Sequence, residues 1–267
     1  MKITDIECHI LVAPDLRQDA TSSSQDNVVV LVHTDQGITG VGETDVGPWI
    51  AKAVIESPSS HTMALGIKEL LVGQDPFDTS ALWEKMYVGT CMSTRRGAGV
   101  CAIGAIDMAL WDIKGKVANL PVVELLGGKF RDRVEVYTHF GGATPEAAAA
   151  MVRGKGDEGY TAVKSGALSS NNYRFDQYHE DGQPQRTAEI YAAAREAGGP
   201  DVKLLIDCHG RFTISTCIRL ARALEPYDLY CFEDPVPPED LSAYPKVRRE
   251  INIPVMGSER LNTKLHY

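Results

Sequence analysis

The sequence lacks any long hydrophobic run, because no apolar stretch approaches the roughly 18 residues that a membrane-spanning helix needs. Its start, MKITDIECHI, lacks the basic end, apolar stretch and small-residue cleavage site of a signal peptide. Positive charge is also in deficit, since 27 Lys and Arg face 36 Asp and Glu, for a formal net charge of -9. Nucleic acids and anionic membranes repel such a protein, so we expect neither as a partner.

Cysteine is sparse and forms no CxxC pair, so its spacing predicts neither a zinc finger nor a redox motif. The six cysteines are scattered along the chain, at Cys8, Cys91, Cys101, Cys208, Cys217 and Cys231. Reduced thiols in a chain of this length are typical of a cytosolic protein, and we expect a cytoplasmic location. The sequence also lacks a GxGxxG motif after a first strand, which argues against a doubly wound nucleotide-binding fold.

The chain divides into two segments with different patterns. Residues 1–125 combine the alternating strand KITDIECHILV and the hairpin DNVVVLVHTDQGITGVGE with later helices. Residues 126–267 alternate strands with helices, which is typical of a parallel sheet with crossover helices. We therefore predict an α+β domain followed by an α/β domain, a partial (β/α) barrel of the TIM type. Its five strands are expected near residues 134–138, 161–164, 203–207, 229–233 and 254–257.

Three carboxylates follow apolar runs of this second segment at equal intervals. Asp207 in LLIDCH, Glu233 in YCFEDP and Glu259 in PVMGSER are each separated by 26 positions. One β/α unit of a barrel has about 25–30 residues, so each carboxylate would end a successive strand, on the face where barrel enzymes carry their chemistry. A single such residue could be a helix cap. Three converging carboxylates repel one another unless a hard cation neutralises them, and Mg²⁺ is the usual choice.

A histidine and a lysine accompany these carboxylates. In LLIDCHGR, Asp207 and His209 share one face if the segment is extended, because side chains alternate along a strand. Lys164 lies at the end of the preceding strand, in AVKSG, where its charge would hold a substrate carboxylate or stabilise an enolate. The interval between Lys164 and Asp207 contains a polar segment, residues 167–185, that we interpret as a loop inserted over the site.

These motifs resemble the enolase superfamily and, within it, the mandelate racemase-like subgroup. AIGAIDMALWDIKGKVANLPVVELLGG is similar to the segment by which that subgroup enters its barrel. The pattern DCHGR, followed by FEDP and GSER, is closest to the galactonate dehydratase-like sugar acid dehydratases. The resemblance implies that Asp207, Glu233 and Glu259 bind magnesium, and that residues 1–125 form a capping domain whose loops near 14–24 close over substrate. It also implies a homo-oligomer.

The reaction implied by the resemblance is Mg²⁺-dependent dehydration of an aldonic acid to a 2-keto-3-deoxy acid. The proton next to the substrate carboxylate is removed, and the metal and Lys164 stabilise the enolate. His209 then protonates the departing 3-hydroxyl as an imidazolium. We expect the neighbouring carboxylates to favour this charged form of His209.

The sequence departs from the family pattern in two places. Racemases and cycloisomerases of the subgroup carry Lys-x-Lys where this chain has Lys164-Ser165-Gly166, which favours a dehydratase and leaves a racemase or cycloisomerase as the alternative. The family's histidine base lies on a later strand, whereas this chain ends at Tyr267, eight residues after Glu259. We therefore expect an incomplete barrel lacking about three β/α units. A truncated chain, a barrel completed by a partner and a catalytically silent fragment all remain open.

Overall fold

The computed structural model describes residues 1–17, 25–94, 96–166 and 183–266. The chain divides into two units, Met1–Asp132 and Arg133–Tyr267. The boundary predicted after residue 125 lies close to this division, and the extent of the functional domains stays a prediction. Residues 18–24 of the predicted cap loop and residues 167–182 of the predicted inserted loop lie outside the described residues. In the part of the chain that is described, no helix is both long enough and apolar enough to cross a membrane.

The first unit is built on a three-stranded antiparallel sheet. Its strands, in the order β1-β2-β3, are β1 (Ile3–Val12), β2 (Asp26–Thr34) and β3 (Thr39–Thr44). Alternate residues such as Ile6 and Val30 are buried, as expected of a sheet with one covered face. The helices that follow are α1 (Pro48–Glu56), α2 (Ile67–Leu71), α3 (Thr79–Gly89), α4 (Ala98–Ala118) and α5 (Val122–Leu125). The strand and the hairpin were predicted, but α1 was not, because Gly47-Pro48 suggests a turn.

Two glycines let the long helix α4 approach the sheet closely. A Cβ atom on Gly40 would lie 2.0 Å from the carbonyl oxygen of Ala109, and one on Gly42 would lie 1.8 Å from that of Ala105. Real side chains do not tolerate such distances, so β3 must present bare backbone to the helix. The small residues Ala105 and Ala109 complete the contact from the helix side, and both are fully buried.

The second unit is a five-stranded parallel sheet, which confirms the predicted partial barrel of the TIM type. Its strands run in chain order as β4 (Thr138–His139), β5 (Ala162–Gly166), β6 (Lys203–Asp207), β7 (Cys231–Glu233) and β8 (Val255–Met256). The intervening helices are α6 (Pro145–Asp157), α7 (Gln183–Gly198), α8 (Ile214–Leu224) and α9 (Ala243–Glu250). Residues 183–185 therefore begin a helix and do not belong to the predicted loop.

The two faces of the parallel sheet have different roles. Residues such as Leu204, Ile206 and Phe232 point toward the helices and form the main core of the unit. Leu205 and Cys231 point the other way, into a small apolar cluster beneath the strand ends. The outer strands β4 and β8 have two residues each, so the predicted spans 134–138 and 254–257 were too long. Each pairs with a single neighbour among the described strands, which leaves half of its backbone groups outside the ladder.

We predict that Gly42→Ala destabilises the first unit by about 1–3 kcal/mol or more, because the added methyl group collides with the carbonyl oxygen of Ala105. All three tryptophans, Trp49, Trp83 and Trp111, lie in this unit, so tryptophan fluorescence during urea unfolding reports on it alone. The matched control is Gly104→Ala on α4, where nothing lies within 4 Å of the new atom. An unchanged unfolding midpoint for Gly42→Ala would contradict the close approach.

Candidate active site

Two carboxylates lie side by side where strands β6 and β7 end. Asp207 and Glu233 are the last residues of their strands and are register partners in the parallel sheet. Both point away from the helix-covered face, because they stand two residues beyond Leu205 and Cys231 in their strands. Their side chains are 8% and 3% exposed. The repeated spacing in the sequence therefore does bring these two carboxylates together.

Lys164 places a positive charge between the two carboxylates. It pairs with Leu205, which lies two residues before Asp207 in β6, and its long side chain extends to the strand ends. Its Nζ atom lies 2.9 Å from Glu233 Oε2 and 3.3 Å from Asp207 Oδ2. Burial opposes the charged form, but hydrogen bonds with Tyr137 and Glu233 and the field of the two carboxylates raise the pKa of Lys164 above its ordinary value. Lys164 is therefore an ammonium.

His209 reaches Asp207 by a tight turn. Its φ angle is 52°, in the left-handed region, so the segment Asp207–His209 is not extended as predicted. The main-chain N–H of His209 donates to Asp207 Oδ1 at 2.9 Å. Its Nε2 atom then lies 3.3 Å from Asp207 Oδ2. The predicted convergence of the two side chains is present, but the turn produces it and strand alternation does not.

Arg211 sets the hydrogen-bonding state of His209. Its Nη2 atom lies 3.1 Å from His209 Nδ1, and a guanidinium can only donate, so Nδ1 accepts and the ring proton resides on Nε2. Burial lowers the pKa of His209, and Arg211 lowers it further, against the opposing fields of Asp207 and Glu259. The carboxylates do favour the charged form of His209, as expected, but burial and Arg211 outweigh them, so the pKa is lowered. Arg211 is thus a neighbour of the site.

Glu259 lies apart from the other two carboxylates. It stands three residues beyond the end of β8, in a turn, and its side chain is 54% exposed. Its Oε2 atom accepts from the Ser258 hydroxyl, and this bond, together with His209 and Arg260, lowers the pKa of Glu259 against the effect of burial. Within the described ranges, no three His, Cys, Asp or Glu side chains form a group that could hold a metal ion. The three-carboxylate site stays a prediction.

The residues that do meet are compatible with a hard divalent cation. Asp207 and Glu233 are buried oxygen donors, the ligand type that Mg²⁺ prefers. Among the described residues, the ammonium of Lys164 stands against their two negative charges, and a further buried carboxylate, Asp234, directly follows Glu233. Uncompensated buried charge of one sign is costly, so the donor chemistry and the charge balance both favour a cation at Asp207 and Glu233.

The sequence patterns did not single out Tyr137 and Asp234 as residues of this site. The Tyr137 ring centroid lies 4.7 Å from Lys164 Nζ, and the ring packs edge-on against His139. The sequence feature that could have indicated Tyr137 is the alternation in VYTH, which places Tyr137 and His139 on one face of an extended segment. Asp234 follows Glu233 in FEDP, and burial raises its pKa. The sequence alone does not show whether an acidic residue just after a strand is buried and hydrogen-bonded or exposed to solvent.

Comparisons with known proteins agree with both units. Residues 9–127 match the mandelate racemase/muconate lactonizing enzyme N-terminal domain, and residues 145–267 match the enolase C-terminal domain-like family. A D-galactonate dehydratase family member from Cellvibrio japonicus is 32% identical over 270 residues, covering 93% of this chain and 65% of the relative. The chain thus spans less than two thirds of the length of that curated relative.

Solved structures share the fold across nearly the whole chain. A proposed dehydratase from Salmonella typhimurium is 30% identical, with a TM-score of 0.86, and the match covers 100% of this chain and 70% of that one. A 3,6-anhydro-D-galactonate cycloisomerase from Zobellia galactanivorans is also 30% identical, with a TM-score of 0.77 and coverages of 97% and 66%. Relatives with different reactions therefore share this scaffold.

We predict that Lys164→Met destabilises the second unit by about 3–5 kcal/mol at neutral pH, because it leaves Asp207 and Glu233 as buried like charges. Their repulsion raises the pKa of one carboxyl in the folded variant, so the deficit narrows as the pH falls and that group is protonated. Urea unfolding followed by circular dichroism at pH 7.5 and pH 5 checks both effects.

The matched control for this prediction is Lys203→Met on strand β6. Lys203 pairs with the exposed Glu135, so its loss should change stability little at either pH. Equal effects of the two substitutions, or a Lys164→Met deficit that does not depend on pH, would contradict the assignment of a buried charge cluster.

Proposed function

The chain belongs to the mandelate racemase/muconate lactonizing enzyme family of the enolase superfamily, and we propose that the whole protein is a sugar acid dehydratase. The proposed reaction is removal of water from an aldonic acid to give a 2-keto-3-deoxy acid. The similarity to a D-galactonate dehydratase family member supports this class of substrate. Which sugar acid is used stays open.

The observation that carries the proposal is the cluster at the ends of β5, β6 and β7. It combines a buried ammonium, two buried carboxylates and a histidine within hydrogen-bonding distance of one of them. Abstraction of a proton next to a carboxylate creates negative charge that only strong, preorganised positive charge stabilises. Dehydration additionally needs a group that protonates the departing hydroxyl, and His209 is an imidazole beside the carboxylates, the type of side chain that both gains and releases protons most readily in proteins.

Each residue has a defined part in this reaction. Asp207 and Glu233, with Glu259 as the predicted third ligand, would hold Mg²⁺. When bound, the ion supplies charge that polarises the substrate carboxylate. Lys164 is fixed by its ion pairs and directs a permanent positive charge to the same place. The residue that removes the α-proton is not assigned within this chain.

His209 must gain a second ring proton before it can act as the acid. Its Nδ1 atom accepts from Arg211, so the ring can become an imidazolium only if Arg211 releases that nitrogen. The negative charge that develops on the substrate favours this proton uptake. Arg211 therefore holds His209 neutral in the resting site and has to move as the ring is charged.

A cycloisomerase or racemase is the second candidate, because a cycloisomerase is among the structural neighbours. The residues paired with Asp207 in the parallel sheet argue against a cycloisomerase or racemase. Gly166 is the register partner of Asp207 on β5 and has no side chain where those enzymes carry a second lysine. The missing side chain also leaves space for the polyol chain of a sugar acid.

Family resemblance further supports a homo-oligomer, and the six free cysteines support a cytoplasmic location.

Magnesium titration tests the metal assignment on the chain as it stands. We predict that Mg²⁺ binds with measurable heat and raises the melting temperature, because it neutralises the excess charge of Asp207 and Glu233. Glu233→Gln is nearly isosteric and should abolish both effects. Glu135→Gln, an exposed carboxylate on the same unit, should leave them unchanged. Binding that survives Glu233→Gln would contradict the assignment.

Substitution of His209 tests the acid role in a form of the protein that dehydrates an aldonic acid. We predict that His209→Asn still exchanges the α-proton with solvent, because Lys164 and the carboxylates are intact. Dehydration should fall by about 10²–10⁴-fold, the usual contribution of a general acid. Proton NMR in deuterated water measures exchange and product formation in the same sample. Dehydration at the wild-type rate would refute the role of His209.

A further inference from the structure

Asp234 is a buried charged residue with no part in the proposed reaction. It directly follows Glu233, and its exposure is 0%. Its φ angle is 39°, a left-handed conformation that Asp and Asn adopt more readily than other non-glycine residues. A buried carboxylate in a strained conformation is costly unless it is well bonded, so its contacts indicate what it does.

The carboxylate of Asp234 binds the turn that carries Glu259. The main-chain N–H of Ser258 donates to Oδ1 at 3.1 Å, and the Ser258 hydroxyl lies 3.4 Å from Oδ2. The same hydroxyl contacts Glu259 Oε2. A third donor, the Tyr244 hydroxyl on α9, reaches Oδ1 at 3.1 Å. Asp234 is therefore linked to Glu259 through one residue.

The main chain of Asp234 binds both neighbouring strands. Its carbonyl oxygen accepts from the N–H of Gly210 at 2.7 Å, next to His209. Its own N–H donates to the carbonyl oxygen of Met256 at 2.9 Å, at the end of β8. The bond to Met256 continues the β7–β8 ladder, in which the N–H of Phe232 donates to the carbonyl oxygen of Pro254. One residue thus contacts the turn after β6 and the end of β8, and it lies next to Glu233.

We infer that Asp234 is a positioning residue that holds the turns bearing His209 and Glu259 in place relative to Glu233. This inference rests on the proposed function, because it matters for activity only if these side chains act together. A carboxylate suits the position because the Ser258 N–H and the Tyr244 hydroxyl both donate to Oδ1. An alanine would leave the Ser258 N–H without its acceptor and would disfavour the left-handed backbone.

The test compares three variants of the chain with wild type. Asp234→Ala removes the acceptor of the Ser258 N–H, whereas Asp234→Asn keeps an amide oxygen for that N–H and tolerates the left-handed backbone. Tyr244→Phe is the matched control, because it removes one hydrogen bond to the same carboxylate and leaves the bond from the Ser258 N–H. Amide hydrogen exchange at Ser258 and Gly210, measured by NMR, reports on the turns, and calorimetric Mg²⁺ affinity reports on the ligands.

We expect rapid exchange at both amides in Asp234→Ala and an Mg²⁺ affinity lower by about 10- to 100-fold, as is usual when a group that orients metal ligands is lost. Asp234→Asn should restore most of both properties. Tyr244→Phe should lower the melting temperature and leave exchange at Ser258 and Mg²⁺ affinity near the wild-type values. This pattern separates positioning from a general loss of stability.

Two results would overturn the inference. One is wild-type protection of Ser258 and Gly210 in Asp234→Ala, and the other is an equal loss of Mg²⁺ affinity in Asp234→Ala and Tyr244→Phe. If the wild-type chain binds no Mg²⁺, the metal assignment fails. Exchange at Ser258 and Gly210 then still decides whether Asp234 holds the two turns.

Discussion

One ammonium between two buried carboxylates is the constraint on which the site depends. Asp207 and Glu233 are adjacent because β6 and β7 pair in a fixed parallel register, and Lys164 reaches them from one step deeper on β5. A slip of one residue in either pairing would turn a charged side chain into the helix-packed core. The core residues on the opposite face therefore fix the register that the charges require. Packing and electrostatics specify the same arrangement of three strands.

The turns that follow these strands carry the remaining chemistry. His209 stands two residues after Asp207 and Asp234 directly follows Glu233, and both adopt left-handed backbone conformations. These turns bring His209 back onto Asp207 and let Asp234 bond to both neighbouring strand ends. Rigid strands supply fixed positions, while the turns orient the groups that would meet a substrate in the proposed reaction. The strain of the turns is offset by the hydrogen bonds that they make.

The state of His209 shows why fold-level similarity does not define a mechanism. The scaffold is shared by a proposed dehydratase and by a cycloisomerase. The features that bear on the reaction are local, namely Gly166, the register partner of Asp207, and Arg211 on the Nδ1 atom of His209. In the proposed reaction, proton uptake by His209 would require Arg211 to leave the Nδ1 atom. If His209 is the acid of a dehydratase, its ring would be charged only when substrate is bound.

The sequence by itself determined the two-part organisation, the parallel order of the second sheet and the pairing of Asp207 with Glu233, because periodicity and equal spacing report on strands and their ends. It misjudged the length of the outer strands and did not indicate that burial and Arg211 lower the pKa of His209. Both depend on neighbours that are distant along the chain or on burial, which no local pattern records. Only the tertiary structure identified Asp234 and Arg211, because their roles come from hydrogen bonds made by turns between strands.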